Sequence, residues 1–263
     1  MAEFKKVICE KKDGVAWITL NNPERYNALD NEMRKELKLA LEDAGRDNDV
    51  RVVVIRGSGK AFSAGADLRA FMEYGPLEIQ EVIKEFGTSF VIGKIIREMP
   101  KPVIAAVHGF CLGGGFELAQ SCDIIFATED SVFGQPEVNV GLIPGGGGTQ
   151  RLPRVIGEKK AKELIFTGDR LPAKEMAALG LVNKVVPADQ LMDAVNEFIS
   201  KVKEKSPLII AAAKEAINES LELSLSEGLK YEAKLFTQLF STEDQKEGAR
   251  AFIEKRKPSW KGR

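Results

Sequence analysis

The alternation of short, β-branched apolar runs with segments of helical spacing constrains this chain more than any other feature. Val15–Leu20 and Arg51–Gly57 are apolar runs that end at turn residues, and Asn31–Arg46 between them carries apolar residues three and four positions apart. The runs predict buried strands, and the spacing predicts a helix. Two further strands are predicted at Pro102–Val107 and Asp123–Thr128. Strands that alternate with helices favour an α/β fold with largely parallel pairing.

The pattern becomes purely helical after about Val186. The predicted amphipathic helices are Pro187–Val202, Pro207–Leu223, Ser226–Phe240 and Thr242–Glu254. Thr242 and Gln245 match a capping box at the start of the last helix. We therefore predict an α/β core of residues 1–200 and a C-terminal helical region of residues 201–263. These helices are too few for a second independent core, so they should pack on the core or on a neighbouring subunit.

The overall composition excludes several classes of protein. Hydrophobic residues make up 44% of the chain and charged residues 29%, which is the balance of a globular protein. A net charge of −1 favours neither nucleic acid nor an anionic membrane, and no apolar segment is long enough to span a bilayer. The three cysteines form no CxxC pair, which favours a reducing compartment. Since the first residues show no signal-peptide pattern, we predict a soluble cytoplasmic protein. A mitochondrial matrix protein without its transit peptide would have the same sequence features.

The motifs of many enzyme classes are missing from the sequence. His108 is the only histidine, which excludes a zinc site built from several histidines, and HExxH does not occur. There is no GxSxG nucleophile elbow and no P-loop, and the dinucleotide pattern GxGxxG fails at Leu118. The chemistry must therefore come from groups other than these.

Two glycine-rich segments could present backbone N–H groups to a ligand. Lys60–Leu68 (KAFSAGADL) follows a predicted strand, and its small residues would let a ligand approach the backbone closely. Its alternative interpretation is a tight strand-to-helix turn. In His108–Asp123 (HGFCLGGGFELAQSCD), three glycines precede a short helix, whose exposed N–H groups and dipole suit a developing oxyanion. Close helix packing demands glycine as well, so that alternative also stays open.

Two glutamates stand in apolar sequence beside glycine-rich backbone. Glu117 lies one turn into the short helix, and Glu137 follows Pro136 shortly before the cluster Gly145–Gly148. Two such carboxylates could form an acid/base pair with shifted pKa values. Glu117 could equally be a salt-bridged structural residue, and no spacing rule shows that the two side chains meet.

These segments together resemble the enoyl-CoA hydratase (crotonase) family from end to end. The motifs that carry the resemblance are NNPERYNAL, AFSAGADL, HGFCLGGGFELAQSCD, FGQPEVNVGLIPGGGGTQRL, TGDRLPAKEMAALGLVNKVVP and FSTEDQKEGARAFIEKRKPSWKG. The resemblance implies the crotonase (ClpP-like) fold, a spiral of ββα repeats with C-terminal helices used for trimerisation. It implies an acyl-CoA thioester substrate, a homo-oligomer (a trimer or a dimer of trimers) and no cofactor, because coenzyme A arrives with the substrate.

The resemblance also implies a mechanism. The backbone N–H groups of Ala66 and Gly114 correspond to the family's oxyanion hole, and Glu117 and Glu137 correspond to its two glutamates. Hydratases of the family keep both glutamates, whereas isomerases typically keep only the second. We therefore expect hydration of a 2-enoyl-CoA, with Glu117 activating the water and Glu137 protonating C2, although both carboxylates touch the same water.

The expected substrate contacts are less sharply defined. Gly145, at the following helix start, should support the water or the acyl group. Lys60, Arg69 and Lys255 are candidates for the CoA phosphates, and the Ala64 backbone for the adenine. The remaining candidates are Asp67 and Leu68 in the first loop, and Phe236 and Phe252 along the acyl or pantetheine path. Lys255 could instead be a solvated helix end, and the two phenylalanines ordinary core residues.

Other functions remain as alternatives. Within the family, an isomerase or a hydratase of a cyclic or branched enoyl-CoA is the nearest one. His108 and Gly146 depart from residues common in relatives, asparagine and a larger side chain, which leaves the acyl chain length open. A glycosidase with two carboxylates would need an aromatic-rich cleft, yet aromatic residues are only 7% of the chain. A binding scaffold for acyl-CoA or RNA would leave the two carboxylates unexplained.

Overall fold

The computed structural model describes residues 4–87 and 91–263, and these residues contain ten strands in two sheets. The strands are β1 Val7–Lys12, β2 Val15–Leu20, β3 Val52–Gly57, β4 Ala61–Ser63, β5 Val103–Val107, β6 Phe110–Leu112, β7 Ile124–Thr128, β8 Val132–Gly134, β9 Arg170–Pro172 and β10 Lys184–Val186. The larger sheet has the order β1-β2-β3-β5-β7-β10, and the smaller one the order β4-β6-β8-β9. The four strands that the sequence predicts all belong to the larger sheet.

Most strands pair in parallel, as predicted. In the larger sheet only β1 and β2 are antiparallel, and in the smaller sheet only β8 and β9 are. Each of β3, β5 and β7 is followed after two or three residues by a short strand of the smaller sheet, and then by helix. This repeated strand–strand–helix turn is the spiral that the crotonase resemblance implies.

The helices enclose the sheets and continue to the C-terminus. They are α1 Asn31–Arg46, α2 Leu68–Phe71, α3 Pro76–Phe86, α4 Gly93–Glu98, α5 Gly114–Ser121, α6 Gly148–Ile156, α7 Glu158–Thr167, α8 Ala173–Ala178, α9 Leu191–Lys203, α10 Pro207–Glu219, α11 Leu225–Leu239 and α12 Glu243–Ile253. Asp30 caps α1, as its side chain accepts a hydrogen bond from the Met33 N–H at 2.9 Å. None of the helices in the described ranges is long and apolar enough to cross a membrane.

The larger sheet is buried on both faces. In β3, Val53 and Ile55 face a core that α1 and α5 cover, whereas Val52 and Val54 face a second core under α9. Successive side chains of a strand point to opposite faces, so burial on both sides requires an uninterrupted apolar run. This is the reason why β3 reads as VVVI rather than as an alternating pattern.

The first of the C-terminal helices begins later than its sequence pattern predicts, whereas α10 begins at the predicted Pro207. Ala188–Gln190 is a 3₁₀ turn, and α9 starts only at Leu191. At α12 the Thr242 side chain accepts from the Gln245 N–H at 3.1 Å, but the Gln245 Oε1 atom is buried without a partner among the residues that the structure describes. Only one half of the predicted capping box is therefore formed. The predicted boundary at residues 200 and 201 falls in the last turn of α9.

One lysine, whose side chain is 9% exposed, connects the helical region to the core. Lys214 on α10 donates to Asp123 Oδ2 at 2.7 Å and to the carbonyl oxygens of Ile96 at 2.7 Å and Lys101 at 3.0 Å. All three donors of its ammonium group are thereby used, which a buried charge requires. Lys214 thus connects α10 to the core.

Candidate active site

Two glycine-rich backbone segments meet at the start of α5. Gly65 has φ +100° and Gly113 has φ +50°, conformations that favour glycine. A Cβ atom on Gly65 would lie 3.2 Å from the Gly114 nitrogen, and one on Gly114 would lie 3.5 Å from the Ala66 nitrogen. The structure therefore brings the Ala66 and Gly114 N–H groups together, as the resemblance implied. Glycine at these positions keeps the space beside them open.

Neither of these two N–H groups has a partner within residues 4–87 and 91–263. The loop around Ala66 is held by its neighbours instead, since the Leu29 N–H donates to Gly65 O at 2.7 Å and the Asp67 N–H donates to Leu29 O at 3.4 Å. Gly114 is the first residue of α5, where an N–H has no acceptor within the helix. The positive end of the helix dipole adds to the attraction for a negatively charged oxygen.

Glu117 lies one turn into α5 and is 3% exposed as a residue. Its Oε1 atom accepts hydrogen bonds from the N–H groups of Gly146 at 2.7 Å and Gly148 at 2.8 Å. Glu117 was alternatively expected to be a structural residue held by a salt bridge. Within the described residues it forms no salt bridge. Backbone donors of the second glycine cluster position it.

Two arginines add positive charge around Glu117. Arg151 on α6 donates to the carbonyl oxygen of Gly146 at 3.3 Å, and Arg34 on α1 is buried. Burial raises the pKa of Glu117, while the two N–H groups and the charges of Arg151 and Arg34 oppose the rise. These four groups favour the ionised form of Glu117.

Glu137 lies in a 3₁₀ turn, Pro136–Val140, and its side chain faces Gly113 at the start of α5. Its Oε1 atom is 3.2 Å from where a Cβ atom of Gly113 would stand. Burial and, to a smaller extent, the negative charge of Glu117 raise the pKa of Glu137 to about 7. The two carboxylates interact electrostatically, so the structure brings together the pair whose meeting the sequence left open.

The buried side-chain amide of Gln135 contacts the Glu137 carboxylate. Gln135 is fully buried, and in the orientation that satisfies both ends of its amide, the nitrogen donates to Glu137 Oε1 at 2.9 Å and Oε2 at 3.1 Å. In the same orientation its oxygen accepts from Gln120 Nε2 at 3.0 Å. Gln135 therefore holds both oxygens of the Glu137 carboxylate.

The arrangement can perform acid/base chemistry on a carbonyl compound. Two convergent N–H donors can hold a carbonyl oxygen that gains negative charge. Beside them stand two carboxylates whose pKa values are raised by burial, that of Glu137 to about 7, and carboxylates shifted in this direction can act as base and acid near neutral pH. Among the described residues no group of three or more His, Cys, Asp or Glu could hold a metal ion.

The first-loop candidates surround the approach to Ala66. Arg25, Ala28, Asp67, Leu68 and Arg69 line one recess together with Ala66. Arg69 Nε donates to Asp67 Oδ1 at 2.8 Å, and Arg25 lies 3.4 Å from Asp67 Oδ2, so Asp67 partly neutralises both arginines. Lys60 is exposed in the turn before β4.

Two predicted contacts need correction or restriction. The Ala64 N–H donates to Tyr26 O at 2.8 Å, so this donor is already used and an adenine could meet only the carbonyl side. Gly145 does not start the following helix, since α6 begins at Gly148. Gly145 is exposed, and a Cβ atom there would meet nothing closer than 4.0 Å.

The C-terminal candidates lie exposed on the surface of the single chain. Phe236 is 61% exposed and stacks edge-on against Phe240, with ring centroids 5.2 Å apart. Phe252 is 85% exposed, and Lys255 is an exposed residue with φ +55° just after α12. The alternative that the two phenylalanines are core residues of the single chain is wrong.

Four functional candidates escaped the sequence reasoning. Gln135, Gly148 and Arg34 contact or face the glutamates, and Gln120 contacts Gln135, yet the sequence offers only weak signals for them. Gln135 precedes Pro136, and Arg34 interrupts the apolar side of α1. Of these, only Arg34 gave a detectable signal in the sequence, because it is a charged residue at a helix position that should be buried.

Comparison with known proteins identifies the family of this chain. The sequence profile of the Enoyl-CoA hydratase/isomerase family matches residues 10–263. A probable mitochondrial enoyl-CoA hydratase of Dictyostelium discoideum is 45% identical over 98% of this chain and 92% of its own length. The crotonyl-CoA hydratase of Syntrophomonas wolfei is 42% identical over 98% of both chains.

A solved structure shows the same fold. The crystal structure of an enoyl-CoA hydratase from Bacillus anthracis covers 98% of this chain and 100% of its own, with 36% identity and a TM-score of 0.93. The mixed α/β architecture is therefore the crotonase fold. The chain belongs to the enoyl-CoA hydratase/isomerase family.

Proposed function

We propose that this protein is an enoyl-CoA hydratase, which adds water reversibly and in syn fashion to a 2-trans-enoyl-CoA such as crotonyl-CoA. The observation that carries the proposal is the placement of Glu117 and Glu137 beside the adjacent N–H groups of Ala66 and Gly114. The names of the two curated relatives, a probable enoyl-CoA hydratase and a crotonyl-CoA hydratase, support it.

The two N–H groups bind the thioester carbonyl oxygen. Attack on C3 moves electrons toward that oxygen, so donors fixed at the oxygen stabilise the transition state more than the substrate. One donor of this kind is worth about 3 kcal/mol in barrier. Ala66 and Gly114 thus supply the oxyanion hole.

The carboxylates divide the proton transfers. Ionised Glu117 takes a proton from a water whose oxygen bonds to C3, and protonated Glu137 gives its proton to C2 on the same face. Transfer of a proton from Glu117 to Glu137 restores the starting state. Dehydration is the reverse, so each carboxyl serves as acid in one direction and base in the other.

The presence of Glu117 argues against an isomerase, which is the nearest alternative. Moving a double bond within an enoyl chain requires one proton to leave and another to arrive, and a single carboxylate can do both. A second, buried carboxylate held by two backbone donors has a purpose only if a water must be activated.

The CoA portion is proposed to lie along the first loop. The recess beside Ala66 carries Arg25 and Arg69, whose guanidinium groups suit phosphate oxygens, and Lys60 is exposed nearby along the chain. Leu68, 45% exposed, offers apolar surface to the pantetheine chain. Coenzyme A is then part of the substrate, and the reaction as written uses no cofactor.

A homo-oligomer, a trimer or a dimer of trimers, is proposed from the C-terminal region. Large apolar side chains of α10, α11 and α12 stand exposed, and the most exposed are Ile217, Leu225, Phe236, Phe252 and Ile253. Exposed apolar surface of this extent is typical of an interface. Phe236, Phe252 and Lys255 would then meet the acyl-CoA of a neighbouring subunit.

The compartment and pathway follow from the same reasoning. Cys9, Cys111 and Cys122 are unpaired, which supports a reducing compartment such as the cytoplasm. Reversible hydration of a 2-enoyl-CoA is a step of fatty-acid β-oxidation and of related acyl-CoA metabolism, and we place the enzyme there.

The test is the loss of the conjugated-thioester ultraviolet absorbance when purified protein meets crotonyl-CoA. We expect rapid loss with the wild type and at least a thousandfold slower loss with Glu117→Gln or Glu137→Gln. Glu129→Gln is the matched control, because Glu129 makes only a surface ion pair with Lys174 at 3.2 Å.

Two outcomes would overturn parts of the proposal. Full activity of both glutamine variants would remove the carboxylate pair from the mechanism. No activity on crotonyl-CoA, together with conversion of a 3-enoyl-CoA, would make the protein an isomerase.

A further inference from the structure

A second side chain of α5 reaches the Glu137 carboxylate indirectly. Gln120 lies three residues after Glu117, and its Nε2 donates at 3.0 Å to the oxygen of the Gln135 amide. The nitrogen of that amide donates to both oxygens of Glu137. Helix α5 therefore carries Glu117 itself and is connected to Glu137 through the amides of Gln120 and Gln135.

The orientation of the Gln135 amide decides what Glu137 meets. With the nitrogen toward Glu137, the ionised carboxylate gains a donor for both of its oxygens, whereas with the oxygen toward it, that carboxylate would face another acceptor. Gln135 is fully buried, so water cannot correct the wrong orientation. Gln120 favours the correct one, because its N–H group needs an acceptor and meets the Gln135 oxygen.

Gln120 is not explained by stability. Its Oε1 atom is buried and has no hydrogen-bond partner in the described part of the chain. An unpaired buried oxygen costs free energy of folding, and an apolar side chain of the same size would avoid that cost. The benefit of a glutamine here must lie in what its nitrogen does.

We infer that Gln120 is a positioning residue for the hydration reaction, which orients the Gln135 amide so that its nitrogen binds the Glu137 carboxylate. The inference rests on the proposed function, in which Glu137 exchanges a proton with C2. Gln120 contacts no substrate. It acts through Gln135, and through Gln135 alone.

A double-mutant cycle tests this dependence. The variants are Gln120→Met, Gln135→Met and the double variant, and methionine keeps the length of the side chain without its polar atoms. The loss of the donors raises the pKa of Glu137, so we expect the basic limb of the hydration pH profile to move up by about one pH unit in Gln120→Met. We expect kcat to fall roughly tenfold with KM for crotonyl-CoA unchanged.

The double variant supplies the decisive comparison. If Gln120 acts through Gln135, Gln120→Met has no further effect in the Gln135→Met background. Gln150→Met is the matched control, since Gln150 lines the same cavity as Gln120 from the neighbouring helix α6 but is exposed. Thermal unfolding of Gln120→Met should occur at or above the wild-type temperature.

A second readout does not need activity. A ¹³C-carboxyl NMR titration of Glu137 should show its midpoint raised by about one pH unit in Gln120→Met and in Gln120→Asn, whose shorter amide cannot reach Gln135. An unchanged midpoint, or effects of the two methionine variants that simply add, would overturn the inference. If wild-type protein failed to hydrate crotonyl-CoA while the titration shifted as expected, only the proposed reaction would be wrong.

Discussion

The Gly148 N–H donates to Glu117 Oε1 at 2.8 Å, and the same glycine leaves room for the amide that binds Glu137. A Cβ atom on Gly148 would collide with the terminal amide of Gln135 and would come within 2.9 Å of the Pro144 Cβ. Gly148 is therefore the point at which the surroundings of the two carboxylates meet. A side chain there cannot be accommodated without moving one of them.

Gly148→Ala should damage catalysis more than folding. The methyl group displaces Gln135 from Glu137, and the shift of the backbone weakens the bond to Glu117, so we expect kcat to fall about a hundredfold. Steady-state kinetics with crotonyl-CoA measure this. Gly228→Ala is the control, because Gly228 lies in α11 and a Cβ atom there would meet open space. Gly157→Ala would not serve, because Gly157 has φ +83°. Activity of Gly148→Ala equal to that of Gly228→Ala would contradict the assignment.

Glu137→Gln should be more stable than the wild type at alkaline pH. The folded-state pKa of about 7 lies above the ordinary value of 4.5, so the folded protein binds a proton more tightly than the unfolded chain. The wild type therefore loses stability as pH rises from about 4.5 to about 7, and glutamine does not. Because the carboxyl is only half-buried, we expect a gain of about 1–2 kcal/mol at pH 8 and almost none at pH 4.5. Urea unfolding at the two pH values measures it, and an equal difference at both would show that Glu137 ionisation is not responsible.

Arg34→Met should raise the pKa of Glu117, so that Glu117 becomes protonated at a higher pH than in the wild type. Arg34 is buried, its Nε has no partner within the described residues, and its charge favours the Glu117 carboxylate. Removing that charge raises the pKa of Glu117, so the acidic limb of the hydration profile should move to higher pH. The other charged groups that face Glu117 are Arg151 and Glu137, and they stay in place.

Arg34→Lys separates charge from packing in that experiment. Lysine keeps the positive charge, so its acidic limb should lie between those of the wild type and of Arg34→Met. If both variants kept the wild-type profile, the charge of Arg34 would not influence Glu117.

Gly114→Pro should abolish one of the two oxyanion donors. Proline has no N–H, and it is tolerated at the first position of a helix, so α5 can still form. The loss of one donor should lower kcat/KM by about a hundredfold to a thousandfold. Circular dichroism and thermal unfolding verify the fold, and near wild-type kinetics in a folded variant would exclude the Gly114 N–H from the oxyanion hole.

The sequence by itself determined the elements whose signals are local. The strands β2, β3, β5 and β7 and the helix α1 with its Asp30 cap follow from periodicity and capping. The four-stranded sheet does not, because strands of three residues, such as β4 and β6, are too short to show a period. Only the end-to-end resemblance to a known family implied the spiral.

The site divides in the same way. Glycine clusters and two glutamates in apolar sequence were sufficient to propose oxyanion donors and an acid/base pair. Their meeting, the pKa of about 7 for Glu137 and the Gln120–Gln135 chain were decided only by the tertiary structure. Burial, hydrogen bonds and Coulomb forces depend on distances between residues that stand 15 to 83 positions apart in the chain, as Gln120 and Gln135 or Arg34 and Glu117 do. No local pattern encodes those distances, because they arise only when the two sheets and α1, α5 and α6 pack together.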